Sequence, residues 1–231
     1  MRYRPHLFAT LVAGPAILLA ACSGDGGANY DVDRGDDDFD LAAMSLRESD
    51  VPEDYLEQDQ VAFNNDEWAE VLDEVDPEAK LRQLEAIGRI RNSITIFARE
   101  NPLEHLGRPY QFSSHSTLYA TAEQAIDSVN QFCDVPIDEN NPREDFDVPK
   151  LGDQATGFSV SEQLDNFGES IDTIVCFRTG RVVHAVVQSG LEGTHDQQLS
   201  IDLAKKMLQN VDAYFDGEPL PEEEATDEPE G

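Results

Sequence analysis

The chain reads as an α+β domain: one domain holding an antiparallel sheet of about five strands with flanking helices. Three observations give this class. Apolar stretches at 171–177 and 182–187 are separated only by Arg178-Thr179-Gly180-Arg181, the spacing of a tight hairpin. Segments with helical and strand periodicity follow one another as αα, ββα and βββα, an order of hairpins with segregated helices. The last segment carries Leu203, Ala204, Met207, Leu208, Val211, Tyr214 and Phe215 on one helical stripe.

Each element has a local cause. Asn65 is suited to cap a helix that begins Asp66-Glu67, acids that favour the positive end of a helix dipole. Trp68, Val71, Leu72 and Val75 form its apolar stripe. Asp76-Pro77 opens a second helix, with a stripe of Leu81, Leu84 and Ile87 and a stop at Gly88. Strand-like segments 90–99 and 110–119 follow, joined by a loop with Pro102, Gly107 and Pro109. Thr121 and Gln124 make a capping box for a third helix, whose inward residues are Ala122, Ala125, Ile126, Val129 and Cys133. A weaker strand spans 157–163. In the hairpin, a turn at Thr179-Gly180 pairs Phe177 with Val182 and Cys176 with Val183. Both of its faces are apolar, which places it centrally in the sheet.

The two ends have a different character. Arg2 and Arg4, the apolar run 7–19 and small Ala20-Ala21 before Cys22 follow the order of a secretory signal, too short for an ordinary membrane span. Leu19-Ala20-Ala21-Cys22 resembles the processing site of bacterial lipoproteins, which implies cleavage after residue 21 and acylation of Cys22. An ordinary signal peptide with an incidental cysteine is the alternative. Two or three acyl chains hold a protein on a bilayer, at about 0.8 kcal/mol per buried methylene. The segment 22–45 is expected to be an acidic disordered tether, 46–215 the folded domain and 216–231 an acidic disordered tail. Asp31-Val32-Asp33-Arg34-Gly35 has the start of a calcium loop but lacks its third acid and its glycine spacing, so a tether is the preferred reading. Ser23 after the cysteine implies an outer-membrane destination in a two-membrane cell, or the outer face of the plasma membrane in a one-membrane cell.

Removing residues 1–21 takes away two arginines and no acids, leaving 14 Lys+Arg against 48 Asp+Glu and a formal charge of −34. Such a surface repels phosphates, so nucleic acid is excluded as a partner, and cations or basic partners are favoured. With Cys22 assigned to lipid, Cys133 and Cys176 remain as a pair outside the cell. One lies on the buried stripe of its helix and the other on an inner strand, the placement of a helix-to-sheet disulfide; two buried free thiols are the alternative.

Val51-Pro52-Glu53-Asp54-Tyr55, Gly152-Asp153-Gln154-Ala155, the 174–187 hairpin around its basic-Gly-Arg turn and the terminal amphipathic helix occur together. In that combination 46–215 resembles extracellular lipoprotein domains related to the sensor region of actinobacterial membrane serine/threonine kinases. The resemblance implies an extracytoplasmic cleft rather than a reaction. No kinase catalytic motif occurs, and the chain departs from the doubly cross-linked sensor regions in having cysteines for a single bridge.

Catalytic signatures are missing from the sequence. It has no GxSxG, HExxH, CxxC, Walker or GxGxxG motif, so no catalytic residue, metal ligand or cofactor is assigned. Outside the signal segment the histidines are His105, His115, His184 and His195, none at metal-ligand spacing. His184, beside Val175, Val182 and Val186, has two readings: a hydrogen-bonded core histidine, ranked first, or a ligand-orienting group in an apolar pocket. His115 sits among Ser113, Ser114 and Ser116 with no specified carboxylate to orient it. The favoured function is a surface lipoprotein, membrane-attached through its N-terminal lipid, whose domain binds a small molecule, a cation or an envelope protein. The alternative is an envelope hydrolase using a carboxylate or the His115 serine cluster.

Overall fold

The computed structural model describes residues 30, 34–73, 75–100, 107–131, 133–135, 141–164 and 168–217. Signal segment, Cys22, Asp31 to Asp33, Pro102, His105 and the tail from 218 lie outside the described residues.

A seven-stranded antiparallel sheet in the order β1-β2-β3-β7-β6-β5-β4 organises the chain. Its elements are β1 (Leu56–Asn64), α1 (Asn65–Leu72), α2 (Pro77–Ala86), β2 (Arg89–Ala98), β3 (Gln111–Tyr119) and α3 (Ala122–Val129). They continue with β4 (Arg143–Phe146), β5 (Gln154–Leu164), β6 (Gly168–Thr179), β7 (Val182–Leu191) and α4 (Gln197–Asp216). The α+β class and the single domain stand; the sheet has two strands more than the sequence reading gave. Both extra strands are at the edges. β1 alternates poorly because most of its residues are exposed, and β4 is Arg-Glu-Asp-Phe, so neither shows the apolar pattern of a covered strand.

The centre of the sheet is covered on both faces. On one face α4 packs over β6 and β7, with Phe112, Val175, Phe177, Val186, Leu203, Ala204 and Met207 buried together. On the other, α3 covers Phe158, Ile174, Cys176, Val183 and Ala185, while α1 and α2 cover the β1–β2 end through Trp68, Leu84 and Ile94. Helix starts are set by local side chains. Asp76 accepts from the Ala79 N–H and Thr121 from the Gln124 N–H. At α1 the cap is Asn64, one residue before the expected Asn65, in a reciprocal box with Glu67. Four residues assigned to apolar stripes are exposed instead: Val71 at 55%, Val75 at 94%, Ile87 at 46% and Ile126 at 37%. The first two lie at the end of α1 and in the turn to α2, and Ile87 is the C-cap of α2.

The central hairpin has a shifted register. Thr179 pairs with Val182, Phe177 with His184 and Cys176 with Ala185, so the turn residues are Gly180 and Arg181. Gly180 supplies the positive φ of 57°. Asp153 fixes this turn from outside: its carboxylate accepts from the Gly180 N–H at 2.8 Å and pairs with Arg178 at 3.0 Å. The shift moves each partner by two residues, so every side chain keeps its expected face.

The expected tether is also corrected. From Arg34 to Ser45 the chain packs on the sheet, burying Phe39, Leu41 and Met44 with Leu118, Val182 and Val211. Arg181 anchors it, donating to Asp36 Oδ1 at 2.8 Å and to the Arg34 carbonyl at 2.8 Å. Acidic composition concealed an apolar spacing of 39, 41 and 44 within this segment.

Candidate binding site

His184 is a core residue. It is completely buried beneath α4, stacked on Phe177 with ring centroids 4.8 Å apart. Nδ1 lies 3.0 Å from Ser116 Oγ and Nε2 lies 2.8 Å from Thr179 Oγ1, so both nitrogens have hydroxyl partners. Burial pushes its pKa down to about 3 and keeps the ring neutral. The ligand-orienting reading is therefore corrected: packing on every side and saturated nitrogens leave no place for a ligand.

His115 and Ser113 do meet, two residues apart on one strand face, with Nε2 2.9 Å from Oγ. Both are buried beneath the helices, and burial pushes His115 down to about 4. Nδ1 has no partner, so no carboxylate orients the ring as a hydrolytic triad requires. The pair does not form the hydrolytic site of the alternative reading.

Cys133 and Cys176 are joined in a disulfide, with Cα atoms 6.1 Å apart. The α3 helix ends at Val129, so Cys133 reaches the sheet from a turn rather than from the helix. Cys133 and Asp134 both adopt left-handed φ, 59° and 57°. The turn directs Asp134 into a polar cluster, where it pairs with Arg89 at 2.8 Å and accepts from Thr117 Oγ1 at 2.9 Å. Arg89 also donates to Asn65 Oδ1 at 2.7 Å and stacks over Trp68. This cluster binds α1, β2, β3 and the disulfide turn together.

A concave site lies on the opposite face, at the β1–β2 end that α4 leaves uncovered. The packed N-terminal segment stops over β2 and β3 and forms a wall. The trough beside it has a volume of about 380 Å³, within the range of small-ligand sites. Its floor is Ala62 of β1 with Arg91, Asn92 and Ser93 of β2; Phe39 and Leu41 contribute apolar wall, and Asp37, Asp38 and Asp40 the rim. Arg91 holds the wall in place by donating to the Asp36 and Phe39 carbonyls at 2.7 Å each. Arg91 Nε and the buried Ser93 Oγ have no hydrogen-bond partner among the described residues. Small side chains at 62 and 93 leave the volume beneath the rim carboxylates, while the Arg91 Nε and Ser93 Oγ atoms are themselves sealed from solvent. No group of three or more His, Cys, Asp or Glu able to hold a metal occurs among the described residues.

The sequence reading missed the trough because its wall was assigned to the tether and its floor to an ordinary strand. The one available signal was Arg91-Asn92-Ser93, three polar residues in succession within a strand otherwise rich in isoleucine.

No protein-family model and no curated protein matches this chain. Among solved structures, the fold is similar to that of the extracellular domain of PknH from Mycobacterium tuberculosis. Identity is 13%, the match covers 77% of this chain and 95% of that one, and the TM-score is 0.45.

Proposed function

We propose that this chain is a lipid-anchored extracytoplasmic lipoprotein, attached through Cys22, whose domain works by binding rather than by catalysis. The trough carries the reading: it offers volume and an acidic rim of Asp37, Asp38 and Asp40, with no nucleophile and base paired within it. The lipobox supports the anchor, and the Cys133–Cys176 bridge is the chemistry of an oxidising compartment. No helix among the described residues is long and apolar enough to cross a membrane. A charge of −34 after processing favours a ligand or envelope partner with cationic groups and disfavours nucleic acid.

A thermal-shift screen of divalent cations, amines, amino acids, sugars and cell-wall fragments at fixed ionic strength tests the binding site. A ligand at 100 times its Kd stabilises the fold by about 2.7 kcal/mol. One compound class is expected to give a saturable shift that Asp37→Asn reduces. Asp37→Asn itself is expected to leave stability nearly unchanged, because Asp37 is exposed. A shift insensitive to Asp37→Asn, or no shift from any class, would contradict the trough as a small-ligand site.

A further inference from the structure

We infer that the edge of β1, which no described strand pairs, takes up an extended, basic segment of a partner protein as an eighth strand, with one cationic side chain of that segment reaching into the trough. The inference deepens the reading of the domain as a binding module and does not depend on the lipid anchor.

The two edges of the sheet differ in a way that points to use. At one edge, β4 is four residues long and three of them are charged, which discourages further pairing. At the other, β1 is nine residues long. Its register with β2 is irregular only between Glu57 and Asp59. From Gln60 to Asn64 it pairs without interruption with Thr95 to Arg91, and this stretch, Gln-Val-Ala-Phe-Asn, contains no charge and no proline. Its outer main-chain groups therefore present an unguarded template for a further strand.

Charge selects the occupant. The uncharged stretch is bracketed by Glu57 and Asp59 on one side and by Asp66 and Glu67 at the start of α1 on the other, all exposed. A second copy pairing antiparallel through 60–64 would bring Asp59 of each copy against the Asp66-Glu67 end of the other. With −34 on each processed chain, self-association is opposed and a Lys- or Arg-bearing strand is favoured.

Ala62 connects the edge to the trough. It is exposed, and it lies on the face that forms the trough floor with Arg91 and Ser93. Because side chains alternate along a strand, every second residue of an added strand lies on this face. A long cationic side chain there crosses the small Ala62 and brings its charge to the rim of Asp37, Asp38 and Asp40. The pairing supplies main-chain hydrogen bonds, and the trough supplies the preference for a basic residue at one position.

The test uses the full chain in detergent micelles and a synthetic peptide of alternating Lys and Val. Calorimetry reads affinity, and residue-resolved amide exchange reads the edge. Saturable binding is expected, with slowed exchange within 60–64 and at least tenfold weaker affinity for Ala62→Lys, a surface change that leaves the fold intact. The same peptide with Glu for Lys is expected not to bind. Peptide binding without slowed exchange at 60–64, affinity unchanged in Ala62→Lys, or no peptide binding would overturn the proposal. Slowed exchange that grows with protein concentration in the peptide's absence would also overturn it, by identifying a second copy as the occupant. Should the small-ligand screen succeed while the peptide fails, the edge proposal alone is lost; failure of both removes the binding reading.

Discussion

Two buried histidines show how a single residue type is read by its surroundings. His115 and His184 are held neutral by burial, with pKa values lowered from the ordinary 6.5 to about 4 and about 3. Below pH 6.5 the unfolded chain binds protons at both sites while the folded chain does not. Their stabilisation is therefore complete above about pH 6.5 and is lost as pH falls toward the folded values. The slope approaches about 1.4 kcal/mol per pH unit for each histidine. Asp172 and Asp212, raised chiefly by burial, act in the opposite sense, so the histidine contribution is isolated by comparison with a variant. His184→Gln is expected to be less stable at pH 7.5 yet to lose less stability between pH 6.5 and pH 4.5, measured by urea unfolding. Parallel pH profiles for parent and variant would contradict a neutral buried His184. The sequence identified His184 as unusual because apolar residues flank it. Its hydroxyl partners were not legible, since Ser116 lies 68 positions away and meets it only through the β3–β7 register.

At the scale of elements, legibility followed the locality of the signal. Helix starts at Asp76-Pro77 and Thr121 were readable because cap and first turn are adjacent in the chain. β1 and β4 were not, because an edge strand exposes residues that a central strand buries. The packed stretch 34–45 was hidden by its acids, and with it the wall of the trough. Phe39→Ala removes a buried ring from the cluster that holds this stretch to α4 and is expected to cost about 3–5 kcal/mol. A disordered tether would give no change, so denaturant midpoints separate the two. The disulfide joins residues 43 positions apart, and its loss is expected to cost about 4 kcal/mol in the chain-entropy model. Reduction also frees the left-handed turn that presents Asp134 to Arg89, so the Cys133→Ser/Cys176→Ser variant is expected to expose Trp68 to fluorescence quenchers below the main unfolding transition. Unchanged stability and quenching would show the polar cluster to be independent of the bridge.

For the whole molecule, charge and address are the two governing properties. A formal charge of −32, or −34 after the proposed processing, makes the folded state self-repelling, and added salt screens that repulsion. Raising monovalent salt from 0.02 to 0.5 M is expected to increase Tm, and a flat or falling Tm would show that local ion pairs outweigh the net repulsion. The same charge repels anionic headgroups, which suits the proposed attachment through a lipid rather than through the surface of the domain. The proposed address rests on four residues, Leu19-Ala20-Ala21-Cys22, and is the central claim of the proposed function. Intact-mass analysis of the chain recovered from the membranes of its own cells tests it most directly. The expected species begins at Cys22 and carries the added mass of a diacylglyceryl group and its acyl chains, and Cys22→Ala moves the protein out of the membrane fraction. A chain that begins elsewhere without lipid, or a Cys22→Ala variant that stays on the membrane, would contradict the account.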